Sequence, residues 1–500
     1  MLFVYLAIVV AMTVWIARRQ RSGTDYFLAG RAMAGAPLAM SLLANQLSAV
    51  SLVGAPAFVA VRPGGGLSWL QYELALPLAM LLLIVLVLPH LRTVKGASIY
   101  EFLEGRFGRP TRRVLAGTFL LSRGLALGVV LYASALVVAT VFDISPEAAI
   151  LYVGLFSVAY TSLGGIAADI WSDVFQLVVL WVGTLLSCGY LLFLYGDSLL
   201  AAVPADRMQV LVLDSAGLAS GEDFAFLPMF FGGLFLYLSY YGCDQSQAQR
   251  LLAARDDSAA RRALLWNGLL RFPLVLTYCG FGLLLAGLME VQPTFAAAMS
   301  GHPADNLVPV FVVQVLPSGL RGVFVAAVFA AAMSSIDSAL NSLAAVTLDD
   351  VFDRRPAQQP VWLSRCVSVL WGSIAILSGL VFARSERTVI ELINVIGSAF
   401  YGPVLAVFAL AIYLPGSSGR AVLTGFFGGL GCNLAVSALT GISWLWWNPL
   451  GFIATVFITR LGTAARPVTV RSQWPVRETL LLAGFVGLML AAFAVLELRR

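Results

Sequence analysis

Fourteen apolar runs punctuate the chain, near residues 2–18, 37–60, 68–90, 114–141, 147–164, 170–195, 225–243, 262–289, 320–348, 361–383, 390–413, 419–440, 443–460 and 478–497. Most are long enough to cross a bilayer, which takes about 20 apolar residues. The pattern therefore predicts an all-α polytopic membrane protein of 13 or 14 spans, the short pair between 419 and 460 deciding the count. Polar residues interrupt a few of these runs, and those interruptions are the informative positions.

The most polar interruption lies in Gly322–Asp350, GVFVAAVFAAAMSSIDSALNSLAAVTLDD. Its 29 residues span roughly 43 Å as a helix, against a hydrocarbon core of about 30 Å. Ser334, Ser335, Asp337, Ser338, Asn341 and Ser342 fall at or just past the midpoint. A carboxylate there costs on the order of 2.5–3.5 kcal/mol on insertion scales. Helical spacing puts Ser334, Asp337 and Ser338 on one face with Ser335 beside them. Such a set of hard oxygen ligands suits a small hard cation or a proton, whereas small residues alone would serve only close helix packing.

The run 37–60 carries Asn45, Gln46, Ser48, Ser51, Gly54 and Pro56. Irregular backbone at membrane depth is tolerated only where it lines a cavity or is buried in protein, so an unwound middle is expected here. The third run opens with Trp69, Gln71, Tyr72 and Glu73, the last only about a turn from the outer face. The following loop, 94–113, reads as a short surface helix with Ile99, Phe102, Leu103 and Phe107 on one side. Between runs five and six, YTSLGGIAADIWSDVFQ (160–176) predicts a Gly-Gly turn and then a helix whose early turns hold Asp169 and Asp173. Arg271, some 13 residues into its run beside Pro273, and Arg123, nearer the end of its own, are costly at that depth unless they pair or meet an anion. Both are substrate or counter-ion candidates.

Composition agrees with the pattern: 60% of the residues are hydrophobic and 11% charged, far from the roughly 25% charged of soluble domains. The Arg cluster follows the first run, so that run reads as a retained span and not a signal peptide. The five cysteines show no metal or disulfide spacing. Of 31 basic residues, seven lie in outward loops (Arg62, Arg207, Arg321, Arg384, Arg387, Arg499, Arg500) and Arg123 and Arg271 within spans. The rest, including Arg250, fall in alternate loops on the opposite side. That bias predicts the N-terminus outside, and the Arg-dominated set suits a bacterial inner membrane. The net charge of +5 needs no nucleic-acid partner, and no obligate protein partner is evident. With His90 and His302 as the only histidines and no nucleophile–base pattern, an enzyme is not expected. A sensor is disfavoured because the chain ends three residues past its last run.

Several separated stretches, DYFLAGR (25–31), SIYEFLEGRFG (98–108), YTSLGGIAADIWSDVFQ, DQSQAQRLLAAR (244–255), AAAMSSIDSALNS (330–342) and GSAFYGPVLAVF (397–408), together resemble the sodium/solute symporter family. The resemblance implies a five-plus-five inverted-repeat fold of the LeuT type in a single membrane domain. One extra N-terminal helix and inner loop (1–36) would precede a first repeat (37–195) and a second (225–413), with about three C-terminal helices (414–500) after them. It implies sodium-coupled symport by alternating access of a small solute in a lipid bilayer. The family's shared sodium site would fall on Ala44, Leu47, Ala331, Ser334 and Ser335. A second cation site found in some members would fall on Asp173, Ser334, Asp337 and Ser338, with Asp337 standing where a serine is expected. Against the sugar-transporting branch, Tyr72 and Glu73 match, Arg271 replaces a lysine, Asp244 replaces an amide, and Ser51 and Leu76 replace polar contacts. A guanidinium with fewer neutral partners suits a carboxylate-bearing solute, provided that Arg271 is not already neutralised by Glu73 or Asp244. A sugar symporter and a proton-coupled carrier remain the alternatives.

Overall fold

The computed structural model describes residues 1–18, 22–354, 360–384, 389–468 and 474–498. Arg19, Arg21, Arg355, Arg387, Arg471, Arg499 and Arg500, which entered the charge-bias argument, lie outside the described residues. The described chain is helical, its one β feature being an isolated bridge between Met33 and Ala254. The principal helices are α1 (Leu2–Ala17), α2 (Gly35–Gln46), α3 (Ala49–Ala60), α4 (Leu67–Leu91), α5 (Arg109–Phe142), α6 (Pro146–Tyr195), α7 (Gly233–Cys243) and α8 (Gln245–Leu252). They continue with α9 (Asp257–Val291), α10 (Ser318–Val346), α11 (Val361–Phe382), α12 (Val389–Tyr413), α13 (Gly419–Leu439), α14 (Trp447–Leu461) and α15 (Val476–Glu497).

Every expected run has helix under it, yet not all fourteen are independent full-length spans. Among the described residues, nine helices are long and apolar enough to cross a membrane, and the bent pair α2–α3 makes a tenth. The runs 147–164 and 170–195 are two helical segments that follow each other directly within α6 and meet at Gly165, where φ is 61° and ψ 179°; the second, Gly164–Tyr195, is one of the nine. The expected Gly-Gly turn is thus a single-residue kink, at a combination of angles that a Cβ strongly disfavours.

α10 is the axis of the bundle. From Phe324 to Val346 every residue is buried, serines and Asp337 included. The large exposed side chains of peripheral helices are apolar instead, such as Leu480, Leu488 and Val495 on α15 and Trp181 and Phe193 on α6. This inside-out distribution is stable only against lipid, because no hydrophobic force separates those side chains from acyl chains. The expected surface helix is short, Glu101–Phe107, and buries Leu103 and Phe107. Arg112 at the start of α5 ties it to the end of α10, pairing with Glu104 at 2.6 Å and with Asp350 at 2.5 Å. The Arg112 guanidinium, bonding its side chain, holds the Glu104 carboxyl below the usual range.

Candidate functional site

The expected interruption at 37–60 is present. α2 stops at Gln46, Leu47 leaves helical angles (φ −86°, ψ 79°), and Ser48 caps α3 by accepting from the Val50 amide at 3.2 Å. The two halves meet at 56°. A helix that stops leaves its last carbonyls without amide partners. Leu43 still receives the Leu47 amide at 2.9 Å, but Ala44 and Asn45 are reached from α10. The Ser334 hydroxyl lies 3.1 Å from the carbonyls of both Ala44 and Ala331, either of which can accept its one hydrogen, and the Ser335 hydroxyl donates at 3.1 Å to the carbonyl of Asn45. Of the five positions named for the shared sodium site, Ser334 is thus in contact with Ala44 and Ala331, Ser335 reaches the neighbouring carbonyl of Asn45, and Leu47 lies at the break itself.

A second broken helix faces the first. α7 ends at Cys243, and Asp244, in extended conformation, caps α8 by accepting from the Ser246 amide at 2.8 Å. The Asp244 carboxylate is thus spent on the cap and does not line the main cavity. Arg250, read from the sequence as a loop residue, lies instead in the buried helix α8. Gln245, Gln247, Gln249 and Arg250 are all 0% exposed. The Arg250 guanidinium lies 2.8 Å from Asp173 and 3.0 Å from Asp169 on α6. It also donates to Ser41 at 2.6 Å and to the Ser338 hydroxyl. A protein cation thus stands between Asp173 and Ser338, two of the residues named for a second cation. Asp337, the third, is turned away from them and meets Thr161 of α6.

Beside the first break is a cavity of about 130 Å³. It reaches from Asn45, Ser48 and Ser51 at the break to Tyr72 of α4, Arg123 of α5, Tyr240 of α7 and Arg271 of α9, and it borders Ser335. Glu73 lies behind this wall, 0% exposed, and is not interfacial. It accepts from Arg271 Nε at 2.9 Å and Nη2 at 3.2 Å, and from the Tyr237 hydroxyl at 2.9 Å. Arg271 is therefore neutralised, and the sequence argument that it awaits a substrate carboxylate loses its ground. Arg123 takes over that role in the geometry. It is 8% exposed, sits 5.7 Å over the Tyr240 ring and makes one long bond, 3.3 Å, to Asn45 Oδ1. No carboxylate pairs with it among the described residues. Sequence reasoning attached the carboxylate argument to Arg271 and missed Asn45, Tyr240, Asn394 and Tyr401 as cavity walls. The polar break in the run 37–60 was the one signal that pointed to Asn45.

The sodium:solute symporter family model matches residues 26–429. The chain is 30% identical over 431 residues to the human sodium/iodide cotransporter, covering 84% of this chain and 65% of that one. It is 30% identical over 424 residues to sodium-coupled monocarboxylate transporter 2 of Bos taurus, covering 83% and 67%. A solved structure of a sodium-coupled sialic acid symporter, substrate-bound and outward-open, superposes with a TM-score of 0.81 at 23% identity, over 93% of this chain and 98% of that one. The chain belongs to the sodium:solute symporter family and has the inverted-repeat fold of the LeuT type. It is a multi-pass membrane transporter that couples the movement of a solute to sodium, not an enzyme.

Proposed function

We propose that this symporter carries a small carboxylate-bearing solute with one sodium ion, and that Arg123 receives the carboxylate. One observation carries the reading: the cavity walls hold unpartnered donors. Arg123 Nε, Arg271 Nη1 and Asn45 Nδ2 are buried without a hydrogen-bond partner among the described residues, and all three residues line the cavity. Each open buried donor costs about 1–3 kcal/mol until something accepts from it. An acceptor-only group with negative charge satisfies several at once, and a planar guanidinium matches it in geometry. A neutral hexose brings as many donors as acceptors and fits this wall less well. The anions named in two relatives, iodide and monocarboxylate, are in keeping with a positive cavity.

Sodium is held by the carbonyls of Ala44, Leu47 and Ala331 and the hydroxyls of Ser334 and Ser335, a set of hard oxygens. Because this set borders the cavity through Leu47 and Ser335, sodium steadies the wall that the solute touches, which is a direct route for coupling. A stoichiometry of one is supported by the Arg250 guanidinium, which lies between Asp173 and Ser338, two of the residues considered for a second cation. Orientation with the N-terminus outside, in a bacterial inner membrane, is supported by the arginine bias.

The test is a melting-temperature screen of the purified protein in sodium and in choline, with pyruvate, lactate, sialic acid, glucose and galactose. The reading expects a carboxylate to stabilise the protein in sodium only, and Arg123→Gln to abolish the shift. Stabilisation by a hexose with no response to any carboxylate overturns it.

A further inference from the structure

We propose that a second, smaller cavity is the solute's passage between the main cavity and the membrane face that carries the surface helix, and that the ring of Tyr401 is the barrier between the two. The inference rests on the main cavity as the solute's place, not on the solute's charge. The second cavity measures about 20 Å³, room for a water. Its walls include Ser122 of α5, Cys243 and Asp244 at the end of α7, Val404 of α12 and Tyr100 in the loop before the surface helix. On each of the three helices this wall lies beyond that of the main cavity, and always in the same direction. The steps run from Ala126 to Ser122 on α5, from Tyr240 to Cys243 on α7 and from Asn394 to Val404 on α12. α5 starts directly after the surface helix, and Phe408 of α12 stacks on Phe102 of that helix at 6.4 Å. All three steps therefore lead toward the same face of the membrane.

Tyr401 is the one residue that lines both cavities. Its ring stands 6.3 Å from that of Tyr240, which carries Arg123 over its face. Its carbonyl accepts from the Ser239 hydroxyl at 2.9 Å, which ties α12 to α7 at this level. The ring leans back along α12, as long side chains on helices do, and lies over Gly397. A Cβ at Gly397 would stand 2.7 Å from Tyr401 Cε2, so only a glycine there leaves the ring its place.

The opposite end of the main cavity is shut more heavily. A Cβ on Gly54 of α3 would stand 3.1 Å from Val389 and 3.2 Å from Ile390 of α12, and beyond them Arg62 pairs with Glu391 at 2.5 Å. Opening that end parts two helices and an ion pair, whereas opening the Tyr401 end takes the turn of one ring to another rotamer. Past the second cavity stands Tyr100, whose hydroxyl donates to the Cys243 carbonyl at 3.2 Å. The passage thus has two aromatic barriers in series, Tyr401 nearer the solute and Tyr100 nearer the face.

The experiment is thiol labelling of the full chain in sealed lipid vesicles, in choline without solute, by a charged methanethiosulfonate that does not cross the bilayer. Cys188, Cys279, Cys366 and Cys432 are replaced by Ala. One reporter is the native Cys243 on the wall of the second cavity. The other is Ala126→Cys on the wall of the main cavity, combined with Cys243→Ala. Arg106→Cys, at an exposed position of the surface helix, marks the face to which the reagent is added. From that face, Tyr401→Ala is expected to raise the labelling rate of Ala126→Cys severalfold and to leave the rate of Cys243 unchanged. Tyr401→Phe keeps the ring and is expected to keep both rates, while Gly397→Ala displaces the ring and is expected to act as Tyr401→Ala does. An unchanged rate at Ala126→Cys overturns the proposal. So does an equal rise at both reporters, which is general loosening, or a rise seen only from the opposite face. No arm uses sodium or solute, so failure of the carboxylate reading and failure of this one are told apart.

Discussion

The hydroxyl of Ser334, on a continuous helix, reaches the carbonyl of Ala44, in the last turn of a broken one, at 3.1 Å. The contact exists because α2 stops two residues later, at Gln46, and leaves that carbonyl without an amide donor. On the proposed sodium reading, an entering cation is met by that hydroxyl with its hydrogen rotated away and a lone pair offered instead, so that the two oxygens now in contact would serve as its ligands.

Arg250 locks α8 to α6, α10 and α2 at one point, and its removal leaves Asp169 and Asp173 buried side by side. Arg250→Gln is expected to cost about 3–5 kcal/mol, the usual result of breaking a buried ion pair from one side. Combining it with Asp169→Asn and Asp173→Asn is expected to recover much of that loss. Melting in choline checks both, and a shift within about 0.5 kcal/mol for Arg250→Gln would be that of an exposed loop residue.

Gly165 turns α6 at φ 61° and ψ 179°. Gly165→Ala is expected to destabilise by about 1–3 kcal/mol, the cost of holding a Cβ in a region essentially reserved for glycine. Denaturation of the variant that matches the wild type would show that α6 can relax into a plain helix without loss.

Asp305, in the connection between α9 and α10, accepts from the Val389 amide at 2.9 Å and so tethers the start of α12. Burial pushes its carboxyl up to about 6, the Val389 amide pulling it back down and Glu391 adding to the rise. The folded state thus favours the acid, and ionisation above about pH 6 carries a cost that the unfolded chain does not share. Stability from this group is greatest below the ordinary carboxylate range and falls as pH rises toward 6, by about 3 kcal/mol in all. Asp305→Asn keeps an acceptor and is expected to flatten that part of the melting-temperature profile. Unchanged slopes in wild type and variant would place the carboxyl in contact with water.

Much of this architecture was readable in the chain. Asn45, Gln46 and Ser48 disturb an apolar run strongly enough to announce a break, and Ser334, Ser335 and Asp337 can be tolerated mid-membrane only around a polar function. Arg250 was not readable. It sits in a stretch dense with Gln, Arg and Asp, which looks like loop, and its partners Ser41, Asp169, Asp173 and Ser338 are 77 to 209 residues away. The same holds for Glu73 and Arg271, 198 residues apart. Local composition records that a polar group is costly at depth, but only the fold records which distant group offsets the cost.

The central claim is a sodium site at the meeting of α2 and α10, and its most direct test is the melting temperature of the wild type and of Ser335→Ala in sodium and in choline at equal ionic strength. A ligand that binds only the folded state stabilises by about 2.7 kcal/mol at a hundred times its Kd. Sodium is expected to raise the melting temperature of the wild type by several degrees and to leave Ser335→Ala unmoved. An equal sodium shift in both proteins, or none in either, would contradict the account.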